Sequence, residues 1–167
     1  MKTAQLAINS VSTRHNDLEE ALDAYAGAGF RAVEFVLPHV KGWLEQGHTV
    51  EDVRQLLAAR DLRGIGGFET HLACFGASEA RQANHDLHVA NARLIDALAG
   101  GTLVVGTDGP PGPLPDPLDA LDPIVEALGA LARRIEGLRV TIALEFNWSP
   151  VVRSLRSAMW VVERVNH

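Results

Sequence analysis

The sequence predicts an α/β protein of (β/α)-barrel type with about five βα units, and therefore a partial barrel. Three observations carry this expectation. Apolar segments alternate in character along the 167 residues in the order βαβαβαβαβα, the pattern of a parallel sheet with right-handed crossovers. The strands are two-faced. Bulky Val140, Ile142 and Leu144 alternate with Thr141, Ala143 and Glu145; Val33, Phe35 and Leu37 alternate with Ala32, Glu34 and Val36; Leu6 and Ile8 alternate with Ala7 and Asn9. An open doubly wound sheet is the competing architecture, but helices cover both of its faces and both should be apolar. A barrel puts helices on one face and a shared interior on the other. Finally, polar residues gather at the carboxyl ends of the strands: Asn9, Glu34, His39, Glu69, His71, Asp108, Glu145 and Asn147. Barrel enzymes build their sites at that end. A complete barrel has eight units and typically about 250 residues. One domain over residues 1–167, truncated after its fifth helix, is therefore expected.

Each element has its own signal. The first strand is expected over Ala4–Ser10. Asn16 or Asp17 can cap a helix running to about Ala28, with Leu18, Leu22 and Tyr25 on one side and Gly27 and Gly29 at its end. The second strand is Arg31–Leu37, ended by Pro38. A loop with His39, Trp43 and His48 follows, then a helix over Thr49–Arg60 with the stripe Val50, Val53, Leu56 and Leu57. The third strand, Ile65 to about Thr70, is softened by Gly66 and Gly67. A loop with His71, Cys74 and Gly76 leads to a long helix from Ser78 to about Leu98, with Leu87, Leu94, Ile95 and Leu98 on its buried side. The fourth strand, Thr102–Gly106, is almost wholly apolar, as in sheets buried on both faces. Pro110, Pro111, Pro113, Pro115 and Pro117 make the next segment a stiff, extended loop over one end of the sheet. A helix from about Pro123 to Glu136, capped by Asp122, presents Ile124, Val125, Leu128, Leu131 and Ile135. The fifth strand, Arg139–Asn147, reads as buried. Ser154 then caps a last helix with Leu155, Met159 and Val162 on one side.

Composition narrows the function classes. The net charge is −6 and no basic stripe appears, which argues against a nucleic-acid surface. Cys74 is the single cysteine, so no internal disulfide forms, in keeping with a reducing, cytoplasmic setting. The N-terminus has no signal-peptide pattern. No apolar run reaches the roughly 20 residues that span a bilayer, so no membrane partner is expected.

Among the polar strand ends Glu145 stands out. A carboxylate closing an apolar strand is costly to desolvate unless cations or donors meet it, and a divalent metal suits such an oxygen ligand. His85 and His88 share a helix face, but Asn84, Asp86 and Asn91 around them read as a solvated surface. Gly64-Ile65-Gly66-Gly67 enters a strand and is no dinucleotide fingerprint. Cys74 reads as a buried structural thiol.

Several stretches together resemble the N-terminal part of the xylose isomerase-like TIM barrels. They are Leu18-Glu19-Glu20-Ala21-Leu22 leading to Ala28-Gly29-Phe30-Arg31-Ala32-Val33-Glu34; Leu98-Ala99-Gly100-Gly101 before Leu103-Val104-Val105-Gly106; and Val140 to Asn147 before the Ser154 helix. This superfamily holds sugar and sugar phosphate isomerases and epimerases, inosose dehydratases and, more distantly, endonuclease IV. The resemblance implies metal-dependent isomerisation or epimerisation of a sugar, sugar phosphate or related polyol. It implies Glu145 as ligand of a divalent metal (Mn2+, Mg2+ or similar) and as acid/base group. His71, Glu69, Asn9, Asn147 and Trp43 are the expected substrate contacts, with Trp148 a further aromatic wall. The family's remaining ligands, an Asp, a His and a second Glu, come from strands six to eight, so the metal can be absent here. A non-catalytic module and a DNA-repair role are the rival readings. The acidic balance speaks against the second. Two unpaired strand edges lead to the expectation of a homo-oligomer.

Overall fold

In a computed structural model, residues 6–112, 120–146 and 149–167 are described. The elements run β1 (Ala7–Asn9), a 3-10 turn (Ser10–Thr13), α1 (Leu18–Gly27), β2 (Ala32–Val36), α2 (Leu37–Leu44), α3 (Val50–Ala59), β3 (Arg63–Phe68), α4 (Ser78–Ala97), β4 (Thr102–Val105), α5 (Leu121–Arg134), β5 (Thr141–Leu144) and α6 (Leu155–Val165). The sheet has five strands in the order β1-β2-β3-β4-β5, as expected for successive right-handed βα units. No described helix is long and apolar enough to cross a membrane.

The chain divides into two compact units, of which the first comprises Met1–Glu69, Arg93–Leu103 and Arg139–Thr141. Asp17 caps α1 by accepting from the backbone N–H groups of Glu19 and Glu20, and Leu18, Ala21, Leu22 and Tyr25 are buried. The strand ends before Pro38, as the sequence suggested, but Pro38 does not open a loop. It lies in the first turn of α2, where its missing N–H costs no helical hydrogen bond. The expected loop around His39 and Trp43 is therefore helical. Thr49 and Asp52 close α3 with a reciprocal capping box.

β2 is buried on both faces: Val33 and Phe35 on one, Ala32 and Val36 on the other, with Glu34 half-buried between Ala32 and Val36. β3 is thinned to glycine because its neighbours claim the space. A Cβ on Gly66 would lie 2.1 Å from the Thr102 carbonyl oxygen, and one on Gly67 would lie 2.6 Å from the Phe35 carbonyl oxygen. The β2–β3 register shifts between Val33 and Glu34, pairing Glu34 with Gly66. The sequence's "softening" glycines are thus sites of close backbone approach.

The second unit comprises Thr70–Ala92, Val104–Leu138 and Ile142–His167. On α5, Leu121, Ile124, Leu128 and Leu131 are buried. On α4, His88 and Asn91 are fully buried. That corrects the solvated face read from their polar neighbours: the helix packs through these two positions. Ser154 and Ser157 form the capping box of α6, whose buried side is Ala158 and Val161. Leu155, Met159 and Val162 do share one side, but it is the open one, with exposures of 63%, 46% and 50%. β5 is likewise half-exposed, where the sequence read a buried strand. Its outer edge has no strand beside it among the described residues.

The glycine contacts yield a paired test. Gly66→Ala should lower unfolding free energy by about 2–4 kcal/mol, because backbone atoms would have to move. Gly27→Ala, on the open face of α1 with nothing within 4 Å of the added Cβ, should be neutral or stabilise by up to about 1 kcal/mol. Urea titration followed by circular dichroism checks both.

Candidate functional site

Parallel pairing sets one row of residues across the second unit. The Leu72 N–H donates to the Gly106 carbonyl at 2.8 Å, and the Glu145 N–H donates to the Val105 carbonyl at 2.9 Å. In a parallel ladder a residue's N–H reaches the residue before its partner. His71, Gly106 and Glu145 are therefore cross-strand neighbours, and neighbours in register point to the same face. Gly106 has no side chain, and the His71 ring fills the place where one would stand. A Cβ on Gly106 would lie 2.6 Å from His71 Cδ2 and 3.1 Å from its Nε2. Strands lie about 4.8 Å apart, so Glu145 is the next side chain along the row. Glu145 is half-buried and His71 exposed. Among the described residues, no cation or donor contacts the Glu145 carboxylate.

The segment after His71 is held firmly. Leu72 bridges to Thr107. The Asn84 side chain accepts from the Ala73 N–H and donates to the His71 carbonyl. The Asp108 carboxylate accepts from the Cys74 N–H at 2.8 Å. Burial, and then the Asp108 charge, push the Cys74 thiol well above its ordinary range. It is a structural thiol, as read from the sequence. The Thr107 and Ser149 hydroxyls pair at 2.7 Å in the core, and Ser149 also accepts from the Val151 and Val152 N–H groups.

In the first unit the expected contacts are already engaged. Asn9 and Glu34 are cross-strand partners, and the Asn9 amide donates to the Glu34 carboxylate. Glu69 is ion-paired with Lys41 of α2, both largely shielded from solvent. Trp43 is buried and stacks on His48, with ring centroids 3.7 Å apart. Asn147 and Trp148 lie outside the described residues. Lys41 and Gly106 escaped the sequence reading. The alternation of β4 carried a signal for Gly106, since it continues the face of Thr102 and Val104. Nothing in the sequence linked Lys41 to Glu69.

The donor set does not fit a divalent metal by itself. Among the described residues, no group of three His, Cys, Asp or Glu side chains converges. Glu145 offers one carboxylate where hard cations take six or more oxygens. The chemistry this row can supply is proton transfer and hydrogen bonding.

No family model matches the chain, and no curated protein matches it. Solved structures do. The IOLI protein, solved with a zinc atom, aligns over 96% of this chain and 59% of its own at 17% identity, with TM-score 0.81. The fold is that of a (β/α) TIM barrel, present in part. A xylose isomerase domain protein from Alicyclobacillus acidocaldarius aligns over 96% of this chain and 59% of its own, at 15% identity and TM-score 0.74. The D-allulose 3-epimerase from Methylomonas, solved with D-allulose, covers 100% of this chain and 60% of its own, at 17% identity and TM-score 0.73. The chain thus spans about 59–60% of the length of these matched structures.

The contact between His71 and Gly106 can be tested by a double-mutant cycle. Gly106→Ala should cost about 1–3 kcal/mol by displacing the imidazole. In the background of His71→Ala most of that cost should vanish, leaving a coupling of about 1 kcal/mol or more in urea titrations.

Proposed function

We propose that this chain carries part of the site of an isomerase or epimerase acting on a sugar, sugar phosphate or related polyol. The row His71–Gly106–Glu145 carries the reading. Moving a proton at a carbon beside a carbonyl needs a positioned base and a positioned acid. Glu145 offers a half-buried carboxylate without a competing cation among the described residues. The His71 imidazole, laid over the bare backbone of Gly106, offers a hydrogen bond to a substrate oxygen on the same face. Support also comes from the fold, since the similar solved structures include a D-allulose 3-epimerase and an L-ribulose 3-epimerase. A divalent ion would stabilise the developing enediolate charge. Such an ion needs donors beyond Glu145, and metal dependence in this reading rests on them.

The reading predicts slow exchange of the hydrogen next to the carbonyl when ketoses are incubated with the protein in D2O, with and without Mn2+. Proton NMR should show Glu145→Gln slowing that exchange by about 10²–10⁴-fold, with His71→Ala weakening it less. Exchange equal in wild type and Glu145→Gln, or none with any ketose, would sink the reading.

A further inference from the structure

Between the first turns of α4 and those of α5 lies a cleft of about 200 Å³. Both of its walls belong to the second unit. α4 contributes Ser78, Arg81, Gln82 and His85, and α5 contributes Glu126. The α4 residues fall at i, i+3, i+4 and i+7, the spacing of one helix face. Where two helices meet, such a face is ordinarily apolar. Here each of the four positions carries a hydrogen-bonding group. On the α5 side the small Ala127 and Ala130 keep the space open.

Arg81 is the residue that packing does not account for. It is half-buried. Its Nε–H is shut off from solvent and finds no acceptor among the described residues. It also enters none of the ion pairs formed among them. A shielded polar group without a partner is costly, and more so when charged. An arginine fork is built to grip an oxyanion through two N–H groups. The groups around Arg81 are mostly engaged already. Asp86 is ion-paired with Arg134 and accepts from the Gln82 amide. His85 donates its Nε2–H to the Ala73 carbonyl. Glu126 is exposed on the opposite wall and forms no ion pair with Arg81.

We propose that this cleft binds a small phosphate ester bearing free hydroxyl groups, with Arg81 gripping the phosphate. Ser78 to His85 spans about 10 Å of helix, more than one anion covers, so the other lining groups meet the hydroxyls. Glu126 only accepts when ionised. It suits hydroxyl donors and repels a second negative group. A phosphate ester carries close to two charges near neutral pH. The guanidinium and the amino end of α4 therefore attract it more strongly than the single charge of a carboxylate. The proposal does not depend on the catalytic reading, but the two regions are joined. Asn84 holds the Ala73 N–H and the His71 carbonyl, and His85 holds the Ala73 carbonyl. A ligand that fixes the first turns of α4 steadies the segment that carries His71.

An NMR titration of amide shifts in the 167-residue chain tests it. Glycerol 3-phosphate is the probe, with glycerol and glycerate as controls. The probe should shift the amides of residues 78–85 and 123–130, and the shifts should reach Ala73. Glycerol should not bind, and glycerate should bind less tightly than the probe. Arg81→Gln should weaken glycerol 3-phosphate by about 10–100-fold. Glu126→Gln alters an exposed position and leaves the fold intact. It should tighten inorganic phosphate severalfold, most clearly at low salt. A wild-type chain that does not bind glycerol 3-phosphate at millimolar concentration overturns the proposal. So do shifts centred away from the cleft, glycerate binding as tightly as the phosphate ester, or unchanged affinity in a folded Arg81→Gln chain. If Arg81→Gln does not fold, unchanged phosphate affinity in Glu126→Gln overturns it instead.

Discussion

The candidate site depends on the backbone pairing that continues past the carboxyl ends of β4 and β5 and takes in Leu72. Side chains on neighbouring parallel strands share a face only when that register holds, and a slip by one residue sends each to the opposite face. Two hydrogen bonds, Leu72 to Gly106 and Glu145 to Val105, fix the row in which His71 and Glu145 lie on either side of Gly106. The chemistry available to the chain follows from this row. A carboxylate alone at a strand end is common. Here a carboxylate and an imidazole share one row across a glycine, which is the juxtaposition the proposed proton chemistry rests on.

Glycine works differently in the two units. In β3, Gly66 and Gly67 admit neighbouring backbone that no Cβ would tolerate. That is a packing constraint. In the second unit, Gly106 yields its place to a side chain from another strand, which orients a polar group. The same residue type supports the sheet in one case and shapes a site in the other. Only the atoms that occupy the missing Cβ position tell the two apart.

Much of the fold was legible because it is written in local patterns. The strand-helix alternation foretold five parallel strands in sequential order, and Asp17, Thr49 and Ser154 marked helix starts as caps do. What stayed hidden was set by distant partners. Pro38 was rightly read as ending the strand, but a loop was expected after it, and proline is equally at home in the first turn of a helix. His88 and Asn91 looked solvated from their neighbours in sequence, and only tertiary packing buries them. In the candidate site, Glu145 and His71 could be named from strand ends, but Asn9 and Glu69 already had partners in Glu34 and Lys41. Cross-strand and helix-to-strand pairings at separations of 25 and 28 residues leave no trace in a single sequence.

The buried thiol of Cys74 has a practical consequence. It is the single sulfhydryl in the sequence, it sits 2% exposed, and its backbone is tied to Asp108 beside the His71 row. A reagent that attacks only the thiolate can reach it only when this corner of the second unit opens. The rate of its alkylation therefore counts local opening events. The molecule carries its own clock for the breathing of the region that holds its candidate site, with no label to be engineered.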